Sequence, residues 1–119
     1  MTNNPLKTKS FAFALKIVNL SRDLNENSKQ YVLSKQILRS GTAIGALVRE
    51  SEQAESKKDF IHKLSIALKE ANETEYWLEL LGASNLIIKE IFISLINDLK
   101  ELLKLLTAII KTSKANLAK

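Results

Sequence analysis

Cysteine is absent from the sequence. With it go disulfides, thiolate metal sites and cysteine nucleophiles, and a reducing compartment is the natural setting. One proline and three glycines serve all 119 residues, too few for the many tight turns of an all-β protein. Aromatic residues make up 6% of the chain. They include no pair placed on a strand, as single-strand RNA-binding sheets require. A single histidine, His62, rules out the paired Glu-x-x-His motifs of a di-iron bundle. Long apolar runs are missing too. The best of them, Leu86 to Ile110, is cut by Lys89, Glu90, Asp98, Lys100, Glu101 and Lys104, so no membrane span is expected. Near the start, Lys7 and Lys9 precede the stretch FAFAL, but Lys16 interrupts it and no small-residue cleavage site follows. A secretory signal is therefore not expected, and a cytoplasmic protein is.

What remains is a balanced composition, 45% hydrophobic and 26% charged, typical of a globular chain. The length suits one domain, 1–119, with a core that needs no covalent staple. The net charge of +5 and pI near 9.5 favour an anionic partner.

Hydrophobic periodicity predicts four helices, over about 8–24, 29–54, 57–82 and 88–112. In the first, Phe13, Ile17, Leu20 and Leu24 form one stripe, with Phe11, Leu15 and Val18 beside it. Asn25 to Ser28 should end it, with Ser28 able to cap the next helix. In the second, Leu33, Ile37, Ser40, Ile44, Leu47 and Ser51 keep a heptad-like spacing, widened by Val48. Gly41 and Gly45 interrupt this helix, at about 1 kcal/mol each relative to alanine. With Ser40, Ala43 and Ala46 around them, they allow another backbone to come close. That neighbour is either a helix of the same subunit or a second subunit or ligand. The third helix opens on a capping box, Ser56 with Asp59. Its seam is Phe60, Leu64, Ala67, Ala71, Thr74, Leu78 and Leu81, with Leu68 and Trp77 off the seam and Gly82 as the stop. The fourth has the seam Phe92, Leu95, Leu99, Leu102, Leu106 and Ile109 and a second apolar set, Ile91, Ile93, Ile96, Leu103, Leu105 and Ile110. A helix apolar over more than half its circumference calls for burial on a second side. Gly41, Gly45, Leu68, Trp77, Ile93, Ile96, Leu103, Leu105 and Ile110 are therefore the expected subunit contacts. The tail from Ser113 should fray. Short connections make the whole an all-α, antiparallel up-down four-helix bundle.

Catalytic signals are missing. There is no G-x-S-x-G, no phosphate loop, and only one Asp-x-x-His fragment, Asp59 with His62. Glu70, Glu73, Glu75 and Glu79 read as a solvated face, with Lys69 beside Glu73. No enzyme, metal or cofactor is expected. The basic residues Lys35, Arg39, Arg49, Lys57, Lys58 and Lys63 are the candidates for phosphate contacts, multiplied if several subunits present them together. Arg39 and Glu50, three turns apart on one face, offer a polar network in which Arg39 holds a carboxylate.

The stretches SKQILRSGTAIGALVRES and AESKKDFIHKLSIALKEANETEYWLELL resemble the small four-helix-bundle proteins encoded in intervening sequences of bacterial 23S ribosomal RNA genes. The resemblance rests on Gln36, Ile37, Arg39, Ser40, Ile44, Val48 and Glu50, then Asp59, Phe60, Leu64, Ile66, Ala67, Glu73, Glu75 and Leu78. Ala43, Leu47 and Ser51 stand where that family has Ser, Asn and Gly. The resemblance implies a bundle that assembles into a ring, a homopentamer. It extends to the accessory proteins of diversity-generating retroelements, basic barrels that work with a reverse transcriptase and nucleic acid. No firm molecular function comes with the family, whose name describes where some of its genes lie. The expectation is a non-enzymatic oligomer that binds nucleic acid, structured RNA first and DNA second. The alternative is a homo-oligomeric scaffold for a protein partner. No membrane is involved in either.

Overall fold

The computed structural model describes residues 4–118. They form four helices, α1 (Pro5–Ser28), α2 (Tyr31–Ser51), α3 (Lys57–Ala83) and α4 (Lys89–Ala118). Each helix packs on its neighbour in sequence, and α1 closes the bundle against α4. The cross-links run antiparallel throughout, Ser21 to Ser34 between α1 and α2, Glu50 to Lys63 between α2 and α3, Lys9 to Glu101 between α1 and α4. No strand occurs among the described residues.

The core follows the predicted stripes. Phe13, Ile17 and Leu24 of α1, Ile37, Ile44 and Val48 of α2, Leu64, Ala67, Ala71, Leu78 and Leu81 of α3, and Leu99, Leu102 and Leu106 of α4 are buried. At two helix contacts small hydroxyls replace apolar bulk and satisfy one another, as buried polar groups must. Ser21 and Ser34 meet at 2.6 Å between α1 and α2, and Ser34 also donates to the Ser21 carbonyl. Ser40 and Thr74 meet at 2.9 Å between α2 and α3.

Several helix ends differ from expectation. Asn4 caps α1 through a hydrogen bond from the Lys7 amide, and Pro5 occupies the first turn, where its missing N–H is no loss. The helix runs on through Ser28, so Ser28 does not cap α2; Lys29 turns the chain in the left-handed region and Gln30 precedes α2 without a side-chain cap. Ser56 caps α3 as predicted, accepting from the Asp59 amide, while the Asp59 carboxylate accepts from the Glu55 amide. The stop of α3 is Asn85, not Gly82. Asn85 takes φ 60°, and the Leu86 amide donates to the Leu81 carbonyl, the Schellman arrangement. Gly82 has a different duty: a Cβ there would lie 2.8 Å from the Phe92 ring. α4 continues six residues beyond its predicted end, since Thr112 to Ala118 holds no proline or glycine. No helix among the described residues is long and apolar enough to cross a membrane.

Candidate nucleic-acid interface

The six basic residues singled out from the sequence fall into three groups. Arg39 and Lys63 are already engaged. The Arg39 guanidinium bridges Glu70, at 3.2 Å, and Glu73, both on α3, and the Trp77 indole N–H donates to the same Glu73 carboxylate at 2.9 Å. Lys63 pairs with Glu50 at 3.3 Å. The expected network around Arg39 therefore exists, but its carboxylates come from α3 rather than from Glu50. Such half-exposed pairs fix helix register more than they add stability.

Arg49, Lys57 and Lys58 form the second group, at the end of the bundle where α2 turns into α3. All three are exposed and make no ion pair among the described residues. The Arg49 guanidinium lies over the Phe11 ring, 5.1 Å from its centre. Its other side faces a polar crevice shared with Glu50, Gln53, Glu55, Asp59 and Lys63. Lys35 stands alone, about 21 Å back along α2 at 1.5 Å per residue, exposed and unpaired among the described residues.

A second set of cations lies on α4. Lys100, Lys104, Lys111 and Lys114 of α4 are exposed and unpaired among the described residues. Their spacing of 4, 7 and 3 keeps them on one helical face. The leucines and isoleucines between them hide this signal, because the same run reads first as an over-wide apolar helix. The acidic residues Asp98 and Glu101 point the other way, toward α1, where Lys16 and Lys9 neutralise them at 2.6 and 3.0 Å. The antiparallel course of α3 and α4 places the end of α4 beside the start of α3, so Lys111 and Lys114 share one end of the bundle with Lys57 and Lys58.

The expected subunit contacts are mostly spent inside the chain. Gly41 is buried against Ile17 of α1, and Gly45 packs on the Ser10 backbone, so both serve helix packing within one subunit. Ile96 and Ile110 lie in the core, and Leu68, Trp77, Leu103 and Leu105 pack partly buried against it. Of the set, Ile93 stays exposed. A further exposed apolar stripe is on α1, where Phe11, Leu15 and Val18 are 51%, 54% and 36% exposed.

Among the described residues no cluster of three or more His, Asp or Glu side chains could hold a metal ion. An apolar cleft of about 360 Å³ lies between α1 and α4 and is lined by Leu20, Ile91 and Leu95, with Lys16 and Ser94 at its side. The exposed Lys16 ammonium donates to the Ser94 hydroxyl at 3.3 Å and pairs with Asp98 at 2.6 Å.

Comparison with known proteins agrees with this architecture. The family model of the 23S rRNA-intervening sequence protein matches residues 2–108. The chain belongs to that family. A crystal structure of a protein of unknown function from the S23 ribosomal protein family of Bacteroides thetaiotaomicron VPI-5482 is 59% identical. The match covers 89% of this chain and 98% of that one, with a TM-score of 0.88. No curated protein matches. Arg39, Ser40 and Glu73 tie α2 to α3, and Asp59 helps shape the start of α3. Leu47 packs partly buried against the core, and Ser51 is buried with its hydroxyl donating to the Val48 carbonyl.

Proposed function

We propose that this protein is a non-enzymatic, homo-oligomeric RNA-binding protein of the cytoplasm that holds structured RNA by its phosphates. The observation that carries the reading is the distribution of charge. Arg49, Lys57 and Lys58 stand exposed at one end of the bundle without ion-pair partners among the described residues, while Arg39 and Lys63 are held by carboxylates. Free cations on a helical scaffold suit phosphate contacts with little base readout. The family description, which names an rRNA gene context, supports RNA as the first ligand to test. For assembly we propose a ring, a pentamer as the family likeness implies, with the α1 stripe of Phe11, Leu15 and Val18 covered by the next copy.

The test is a triple replacement of Arg49, Lys57 and Lys58 by Gln, followed by titration of labelled structured RNA. Because all three residues are exposed, the fold should be unchanged by circular dichroism. Affinity should fall at least about tenfold near 0.1 M salt. Unchanged affinity would remove these residues from the site. The exposed α1 stripe also favours a second reading, a homo-oligomeric scaffold for a protein partner. That reading is distinguished by protein that purifies free of nucleic acid and fails to bind it at low salt.

A further inference from the structure

We infer that the outer face of α4 is a docking surface for the phosphate backbone of a double-stranded nucleic acid. The inference rests on the RNA-binding reading above and assigns it a second, larger surface. Lys100, Lys104, Lys111 and Lys114 lie on one face of a single helix, and the first and last are about 21 Å apart at 1.5 Å per residue. Two features distinguish this stripe from ordinary solvated lysines. First, its counter-charges are committed elsewhere. Asp98 and Glu101, the acidic residues nearest in sequence, are held toward α1 by Lys16 and Lys9. Second, the stripe leads to the end of the bundle where Lys57 and Lys58 begin α3, so both sets stand at the same end.

The chemistry of the stripe selects the ligand. All four cations are lysines, point charges that neutralise phosphate without the bidentate geometry by which arginine reads guanine. The one aromatic residue of α4, Phe92, is partly buried and seated on Gly82. Single strands are held by stacking their bases on aromatic side chains, and this face offers none. A row of ammonium groups on a rigid helix fits a duplex, whose phosphates keep a regular spacing and whose bases are already stacked. Duplex RNA and duplex DNA share the phosphodiester that the lysines recognise, and the experiment distinguishes them.

The experiment replaces Lys100, Lys104, Lys111 and Lys114 by Gln in the full chain, with a parallel variant carrying Arg at the same four positions. Each protein is titrated against duplex RNA, duplex DNA and single-stranded RNA of equal length over a range of salt. The wild type should prefer a duplex to the single strand. The Gln variant should bind it at least about 100-fold more weakly near 0.1 M salt, with the slope of log K against log salt reduced by about 3 to 4 per bound chain. The Arg variant should bind like the wild type. A Gln variant with unchanged affinity and slope would overturn this surface while leaving the RNA-binding reading intact. A preference for the single strand would overturn the duplex assignment. Failure of the wild type to bind any of the three would overturn both readings.

Discussion

Gly41→Leu is expected to destabilise the bundle by about 3 kcal/mol, a large share of the roughly 5–15 kcal/mol typical of a domain. Position 41 is where α2 comes closest to α1. A Cβ there would lie 2.9 Å from both Cγ atoms of Ile17, and Ile17 is itself fully buried. Its β-branched side chain has one strongly preferred rotamer in a helix, so it cannot swing aside. Leucine would add three further carbons to the same space. The glycine's helix penalty of about 1 kcal/mol is thus the smaller of two costs. Urea denaturation checks the value, and the Ile17→Ala background checks the cause. If the close approach is responsible, the two substitutions together should be far less damaging than their sum. Additive losses would mean that Gly41 matters for some reason other than Ile17.

Phe11→Glu combined with Leu15→Glu is expected to convert the proposed ring into monomers of 13.4 kDa without unfolding them. Both side chains are more than half exposed in the single chain, so the core loses nothing. In a ring the same side chains would be covered by the adjacent copy. Burying each contributes about 1.5–3 kcal/mol, so the pair accounts for roughly 10²- to 10⁴-fold in the dissociation constant of one contact. Introduced carboxylates would add their own desolvation penalty. Light scattering after gel filtration at micromolar concentration reads the mass directly. A variant that keeps the wild-type mass would move the interface away from α1, and a wild type that is itself 13.4 kDa would remove the ring.

The helix seams are legible in the sequence because burial repeats with the period of the helix, and that period survives without knowledge of the neighbours. The run of Leu64, Ala67, Ala71, Thr74, Leu78 and Leu81 is buried throughout. Ser56 is legible for the same local reason, since a cap and the amide it accepts from lie within four residues. Features that depend on a second helix are not. Gly82 reads as a helix stop, yet its role is to admit Phe92, ten residues on. Asn85 supplies the left-handed turn instead. Arg39 shares a face with Glu50 along α2, but its partners are Glu70 and Glu73, and only the packing register of α2 on α3 selects them. The width of the apolar face on α4 has two sources. Ile96 and Ile110 are needed by the subunit's own core, while Ile91 and Ile93 stay exposed, as Phe11, Leu15 and Val18 do on α1. The basic residues were half legible. Lys57 and Lys58 stand out as neighbours, whereas the lysines of α4 become a surface only once Asp98 and Glu101 are seen to face α1.

The most direct test of phosphate-mediated RNA binding is a salt series. Labelled structured RNA would be titrated with the wild-type protein at several potassium chloride concentrations, and log K plotted against log salt. Binding through phosphates predicts a straight line that falls steeply, by roughly 0.7 to 0.9 per phosphate neutralised. A flat line, or no binding at the lowest salt, would contradict the account.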